Sequence, residues 1–382
     1  MLQESSSERE RGLIQALGLV FENASTTPYR TRSSKYENAM RALAAANPGD
    51  TEIQVFYALA LISNASPLDK KHQAQKQAAG VLEPLWLEFP NHPGLPHYLI
   101  HACDSQELAT RGLVAARAYA RIAPSSPHAL HMPSHIFTRL GLWDDSIASN
   151  LAAADAAQRL GDTGEELHAM DYLVYAYLQS DRDNEAARVI ERLKTMRNPH
   201  TDDFKSGYAA TAMPIRYIIE RHQWNDAERI VVPPDSDLPQ AKAIAVWARG
   251  LGFAHNRHVT QAQIESETLR RIEDRLHIAG NDYWATQASI LRREVMAWSA
   301  QAEKKTGDAE AILRSAADDE DGIEKLPVTP GPIVPAREQL GELLLEQDDV
   351  AAASKAFETA LANAPGRRGA LQGTARATAH SR

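Results

Sequence analysis

The stretch HIFTRLGLWDDSIASNLAAADAAQRLGD, residues 135–162, decides the fold of this chain. Apolar residues recur at every third or fourth position in both of its halves, which is the spacing of amphipathic helices. Between the halves a Leu-Gly turn carries Trp143, and the second half has alanines at many positions. The pattern predicts two helices joined by a short turn, with small residues where the helices cross closely.

The same plan recurs along the chain. It is found in LVYAYLQSDRDNEAARVIERLK, residues 173–194, and in LGELLLEQDDVAAASKAFETALANAPGR, residues 340–367. Helical spacing is present nearly throughout, prolines punctuate it, and alternating runs rich in Val, Ile and Thr are few. We therefore predict an all-α fold.

These segments resemble the tetratricopeptide repeat (TPR), a helix pair of 34 residues with small residues at the helix crossing. The resemblance implies an α-solenoid of about eight or nine antiparallel helix pairs, stacked into a superhelix whose concave groove is lined by the first helix of each pair. We assign residues 33–365 to this solenoid, with His-rich central repeats at 92–180 and a proline-rich loop at 320–336. Residues 1–32 are expected to form a helical cap and residues 366–382 a flexible tail.

Composition limits the class of function. The net charge of −9, from 50 acidic and 41 basic residues, argues against nucleic-acid binding. No run of apolar residues is long enough to span a membrane, and the N-terminus lacks the pattern of a secretory signal. One cysteine, Cys103, fits a reducing compartment and excludes a site with several Cys ligands. We expect a cytoplasmic protein without a membrane or nucleic-acid partner, which could form a homo-oligomer.

Histidine is concentrated in one part of the chain. Seven of the 14 His residues fall between positions 92 and 168. His97 and His101 are four residues apart, as are His131 and His135, and each pair can therefore lie on one helical face. The repeat plan places the two pairs and His168 on three successive first helices. We predict that these imidazoles converge on a metal ion, with His128 as a further ligand.

Other residues could support this site. Asp104 and Asp171 each follow a His by three positions and could bind the metal or orient an imidazole. Tyr172, Arg139 and Glu338 could contact a ligand in the groove, although for Arg139 a solvated ion pair is the preferred interpretation. Pro133, between His131 and His135, either kinks the helix or starts it, and the sequence leaves open whether it directs His131 into the cluster.

Ligation by imidazoles alone suits copper, iron or zinc, and it does not suit magnesium or calcium. We expect a metal-dependent enzyme acting on a small molecule or peptide, and oxidative chemistry is slightly favoured over hydrolysis because no general-base Glu accompanies the His pairs. Two alternatives stay open. One is a non-catalytic scaffold that binds protein or peptide in its groove, and the other is metal storage or delivery.

The wording of three long segments points to a narrower resemblance. The chain looks like a family of bacterial TPR proteins in the following segments: HPGLPHYLIHACD (92–104), the run from Gly112 to Asn150, HAMDYLVYAYLQ (168–179), and LPVTPGPIVPAREQLGELLLE (326–346). This resemblance covers most of the chain. It implies an α-solenoid and no particular activity, so the histidines carry the functional prediction.

Overall fold

The computed structural model describes residues 7–197, 199, 201–233 and 238–380. The chain divides into two compact units, 1–124 and 125–382. All regular secondary structure in the described ranges is helical. The first six residues of the predicted cap and the last two of the predicted tail lie outside the described residues.

Within residues 7–124 the first unit has six helices, each packed against the next. They are α1 (Glu8–Phe21), α2 (Tyr29–Ala46), α3 (Thr51–Ser63), α4 (Gln73–Glu88), α5 (Gly94–Cys103) and α6 (Ala109–Ile122). The boundary predicted at residue 32 falls inside α2. Because α1 packs against α2 as a helix pair, the N-terminal segment is the first pair of the unit and not a separate cap.

The second unit contains the remaining helices of the described chain. They are α7 (Pro127–His131), α8 (Pro133–Arg139), α9 (Trp143–Leu160), α10 (Thr163–Gln179), α11 (Asp183–Thr195), α12 (Phe204–Ile219), α13 (Trp224–Ala227), α14 (Pro239–His255), α15 (Val259–Ile278), α16 (Asp282–Ala302), α17 (Thr306–Asp321), α18 (Ala336–Glu346), α19 (Val350–Asn363) and α20 (Arg368–His380).

The helices of both units form TPR-like pairs. Within the described residues there are three pairs in the first unit and six in the second, where α7 and α8 together form the first helix of a pair with α9 and α20 follows the last pair. In the second unit the first helices α10, α12, α14, α16 and α18 each contact the next, so they share one face of the unit. We call this face the inner face. The predictions of an all-α fold and of eight or nine helix pairs are confirmed.

The turn between α9 and α10 shows how local chemistry sets the helix boundaries. Gly161 ends α9 with φ of 70°, a left-handed conformation that glycine adopts without a steric penalty. Asp162 then caps α10, because its carboxylate accepts a hydrogen bond from the backbone N–H of Glu165 at 3.0 Å. This compact turn brings α9 and α10 together along their lengths.

Pro133 breaks the helix between the two histidines of the pair 131/135. It is the first residue of α8, where its missing N–H costs no helical hydrogen bond. Met132 keeps helical dihedrals, φ −50° and ψ −38°, so the chain continues in nearly the same direction. His131 therefore ends α7 and His135 lies in the first turn of α8.

The predicted flexible tail is wrong for residues 368–380, which form α20 and pack against α19. A side-chain carbon added at Gly373 would lie 2.3 Å from the ring of Phe357, so the absence of a side chain lets α20 approach α19 closely. Arg367, just before α20, is fully buried in ion pairs with Glu220 and Glu338. The composition of residues 366–382 alone does not reveal either contact.

Residues 322–335, between α17 and α18, contain no helix. They lie within the predicted proline-rich loop, and we call them the proline segment. Glu320 accepts a hydrogen bond from the backbone N–H of Ala336 at 2.7 Å, and this bond ties the two ends of the segment together. Thr329, Pro330 and Gly331 at its centre are buried.

The helices were also compared with the length and hydropathy that a membrane span requires. Among the described residues, no helix is both long enough and apolar enough to cross a bilayer.

Candidate metal centre

Three histidines of the second unit lie together in its interior. His131 ends α7, His135 belongs to α8 and His168 lies on α10. Each offers a ring nitrogen, and these nitrogens all lie within 4.8 Å of one another. The side chains are 1%, 3% and 5% exposed, respectively. We call this group the His triad, and its donor set could hold a metal ion.

The spacing of the nitrogens fits ligation. Nε2 of His131 lies 3.0 Å from Nε2 of His135, and the ring of His168 lies 4.3 Å from the ring of His131 between centroids. Two imidazole nitrogens that bind one tetrahedral ion at about 2.0–2.1 Å lie roughly 3.3 Å apart. Small side-chain rotations therefore suffice to place the three nitrogens around one ion.

Asn150 on α9 orients His131. Its Nδ2 donates to the backbone carbonyl of Ser146 at 2.8 Å, so its Oδ1 must face the imidazole. Nδ1 of His131 donates to this Oδ1 at 2.6 Å, which leaves the lone pair on Nε2 and directs it toward His135. Asn150 and Ser146 are both completely buried. A hydrogen bond to the outer nitrogen of a metal-binding imidazole is the usual means of fixing its tautomer.

Tyr172 connects the His triad with the proline segment. It lies one turn after His168 on α10, and its ring packs edge-on against His131 at 4.8 Å between centroids. Its hydroxyl lies 3.5 Å from Nδ1 of His135 and donates to the backbone carbonyl of Thr329 at 3.2 Å. The segment thus contacts a side chain that itself contacts the triad.

Burial keeps the imidazoles neutral. The pKa of His131 is lowered well below its ordinary value by burial and by the neighbouring His135. The pKa of His168 is lowered in the same way, by burial first and then by His131 and His135. Neutral imidazoles are the form that binds metals, so no proton has to be displaced from these two rings at neutral pH.

The sixth predicted ligand of this region, His128, has a different surrounding. It lies on α7, its side chain is 41% exposed, and its Nδ1 is 3.5 Å from a carboxylate oxygen of Glu165. Lys205 binds the other oxygen of Glu165 at 2.7 Å. His128 is thus a neighbour of the triad whose ring nitrogen faces a carboxylate.

His97, His101 and Asp104 belong to the first unit. His97 stacks on Tyr119 with centroids 5.4 Å apart and lies 4.9 Å from the ring of His101, as expected for residues one turn apart on α5. Asp104 follows the last residue of α5. Their predicted part in a metal site stays a prediction.

Asp171 does not orient an imidazole. Its Oδ1 lies 3.6 Å from Nε of Arg216 on α12, and both side chains are almost fully buried. Burial raises the pKa of Asp171 to about 6 despite the guanidinium. Asp171 and Tyr172 lie on opposite sides of His168 around α10, at about 60° and about 40° from it, so Asp171 reaches α12 and Tyr172 reaches the triad.

Arg139 and Glu338 also differ from the predicted groove residues. Arg139 pairs with Glu324 of the proline segment at 3.4 Å, so it is ion-paired as preferred, but the pair is mostly buried and not solvated. Glu338 binds the buried Arg367 at 2.8 Å. Arg367 and Arg216 both lie over the ring of Tyr175, at 5.6 and 4.8 Å from its centroid. Glu338 is therefore part of a structural ion-pair network.

The sequence analysis missed Asn150 and the role of the proline segment. A signal for Asn150 exists, because Ser146 and Asn150 are four residues apart on the helical face that also carries Ala153, Ala154 and Ala157. A lone Asn on such a small-residue face is buried and needs a hydrogen-bond partner. No comparable signal shows where a proline-rich segment packs.

No protein-family model matches this chain, and no characterised protein matches it by sequence. Solved structures do show similarity of fold. Yeast Tom70 is 12% identical with a TM-score of 0.41, and the match covers 99% of this chain and 65% of Tom70, so this chain spans less than two thirds of that protein. A human IFIT1 dimer with m7Gppp-AAAA is 11% identical with a TM-score of 0.41, covering 98% of this chain and 87% of that one.

The TPR domain of P58(IPK) is 11% identical with a TM-score of 0.26, and the match covers 98% of both chains. At these identities and TM-scores the comparisons assign no activity, ligand or partner to this chain. The function has to be argued from the His triad itself.

Proposed function

We propose that the protein binds one transition-metal ion through His131, His135 and His168 and is a metal-dependent enzyme acting on a small molecule. Three protein ligands around a four-coordinate ion leave one position for water or substrate, which is the usual arrangement of catalytic zinc sites. The ion would supply Lewis acidity or redox chemistry. The residues of the chain hold it, fix the tautomers of its ligands and exclude bulk water.

The proposal is supported mainly by one observation. The Nε2 atoms of His131 and His135 face each other at 3.0 Å, while their Nδ1 atoms lie against Asn150 and Tyr172, respectively. Asn150 fixes the proton of His131 on Nδ1. With the Tyr172 hydroxyl donating to Thr329, the His135 tautomer that donates from Nδ1 to Tyr172 carries its lone pair on Nε2. Two lone pairs then face each other in a buried pocket, and a cation between them relieves their repulsion.

The donor set narrows the metal to copper, iron or zinc. The nearby carboxylates are already engaged, Asp171 with Arg216 and Glu165 with Lys205 and His128. Because both carboxylates are paired with other charged side chains, neither is placed to act as a general base, and this supports oxidative over hydrolytic chemistry. Storage or delivery of the metal is the non-catalytic form of the same proposal.

A second candidate is a ligand-binding scaffold, and a cavity of about 770 Å³ in the second unit favours it. The cavity is lined by residues of α12, α13, α14, α16, α18 and α20, including Trp224, His255 and Trp298. Its volume is in the range of small-molecule sites. None of the three triad residues lines it, so binding there would survive the loss of the triad.

The test is the metal content of protein purified without a His tag. We expect about one equivalent of copper, iron or zinc, lost in His131→Ala and retained in His277→Ala, whose side chain is 76% exposed on α15. Less than about one-tenth equivalent, with no binding on titration, would refute metal binding. Stoichiometric metal without turnover of any oxidisable or hydrolysable substrate would favour storage, and ligand binding that persists in His131→Ala would favour the scaffold.

A further inference from the structure

The proline segment packs on the inner face of the second unit beside the His triad, where Tyr172 contacts both. Its base is fixed, since Glu320 accepts from the N–H of Ala336 and Arg337 binds Asp321 at 2.7 Å. Fourteen residues without helix lie between these bonds. A compact loop whose ends are tied together is an Ω-loop, a type of segment that is frequently functional.

The tip of the segment is attached to the inner face by hydrogen bonds to side chains of several helices. The hydroxyl of Tyr172 donates to the carbonyl of Thr329, and Nη1 of Arg216 donates to the carbonyl of Pro332 at 3.0 Å. The N–H of Leu326 donates to the hydroxyl of Tyr283 on α16 at 3.3 Å. Each of these bonds joins a side chain of the inner face to the backbone of the segment.

An ion pair closes the N-terminal side of the tip. Glu324 lies 3.4 Å from Arg139, which is one turn after His135 on α8, and both side chains are about one-eighth exposed, at 13% and 12%. The tip is thus held at separate points on α8, α10, α12 and α16, and the base is held independently of them. Release of the tip contacts leaves the base bonds intact.

We propose that the proline segment is a lid over the His triad, and that the contacts of Glu324 and Leu326 keep it closed. The triad is at most 5% exposed, so small molecules and metal ions reach it only when the lid opens. Local opening of a loop needs only the loss of its own contacts and precedes global unfolding. The lid controls access to the His triad, and this inference rests on the proposed function.

The test uses the reaction of the metal-free full-length protein with diethyl pyrocarbonate, which modifies neutral imidazoles, followed residue by residue by mass spectrometry. Glu324→Ala removes the ion pair, and Tyr283→Phe removes the acceptor for Leu326 without touching the triad. The matched controls are Glu358→Ala on the exposed face of α19 and Tyr217→Phe on α12. Circular dichroism checks that each variant keeps its helices.

Both lid variants should modify the triad roughly fivefold faster than the wild type, the factor that corresponds to one ordinary hydrogen bond, whereas the controls should not. His128 serves as the internal standard and should react at the same rate in all proteins. Unchanged triad rates in both lid variants would overturn the proposal, as would a parallel rise at His128. Metal content of the same variants as purified, before the metal is removed, separates the two proposals, because the lid itself is tested on metal-free protein.

Discussion

Replacing Asn150 tests whether the His triad is built as a metal site. In Asn150→Leu the residue keeps a similar volume and loses the oxygen that accepts from Nδ1 of His131 at 2.6 Å. The imidazole can then adopt either tautomer and rotate. Loss of such a supporting hydrogen bond typically lowers metal affinity by about 10- to 100-fold. This corresponds to about 1.4–2.7 kcal/mol.

Asn150→Asp is the matched variant, since it keeps an oxygen acceptor at the same position. We expect it to bind metal more tightly than Asn150→Leu, because its carboxylate still accepts from Nδ1 of His131, although it loses the donor to the Ser146 carbonyl. The assay is competition with a coloured chelator at neutral pH, using cobalt(II) and zinc(II). The reasoning is refuted when Asn150→Leu binds as tightly as the wild type, or when both variants lose affinity equally.

Three further predictions concern the stability of the metal-free protein, measured by chemical denaturation. Below about pH 6.5 the unfolded chain takes up a proton at His168, while the folded chain does not. The free energy of unfolding should therefore decrease as the pH is lowered through this range. His168→Gln should reduce this slope by up to about 1.4 kcal/mol per pH unit. An unchanged slope would contradict the neutral state of the ring. Arg367→Met leaves Glu220 and Glu338 buried without their cation and should lower the free energy of unfolding by roughly 3–5 kcal/mol. The control Arg376→Met changes a half-exposed side chain and should cost less than about 1 kcal/mol. Equal losses in the two variants would contradict the ion-pair network. Gly373→Ala places a methyl group 2.3 Å from Phe357 and should lower the free energy of unfolding by about 1–3 kcal/mol. The control Gly307→Ala meets no atom within 4 Å and should change it little. Equal effects would contradict the close packing of α20.

The helix pairs could be predicted from the sequence because their signals are local. The spacing of apolar residues, the Leu-Gly turn before Trp143 and the prolines at helix ends all act within one repeat. The same reasoning placed His131, His135 and His168 on helices that face one another, and the structure brings their nitrogens within 4.8 Å. Periodicity and repeat order are sufficient to place these histidines on neighbouring helices, but they do not fix the direction of each ring.

The remainder depends on contacts between distant parts of the chain. Asp171 and Tyr172 are adjacent in sequence, yet one pairs with Arg216 and the other packs on the triad, because one residue turns the helix by about 100°. Glu338 was predicted to contact a ligand because it follows the proline-rich loop, and its partner Arg367 could not be foreseen because it lies in a segment predicted to be flexible. The packing of the proline segment depends on backbone carbonyls, which the amino-acid pattern does not specify.

The position of Pro133 shows which features follow from the local sequence and which depend on contacts with other helices. Its place at the start of α8 follows from its chemistry, since proline is tolerated in the first turn of a helix. The direction of His131 depends in addition on Asn150 of the neighbouring helix. The sequence could therefore predict the break and could not predict that His131 turns into the cluster.

The most direct measurement of the central claim is an anomalous-difference map from crystals of the untagged protein, recorded on both sides of the copper, iron and zinc edges. We predict one peak in the second unit, about 2.0–2.1 Å from ring nitrogens of His131, His135 and His168, and its edge identifies the element. A map without a peak at the His triad, from protein exposed to each of the three metals, would contradict the account.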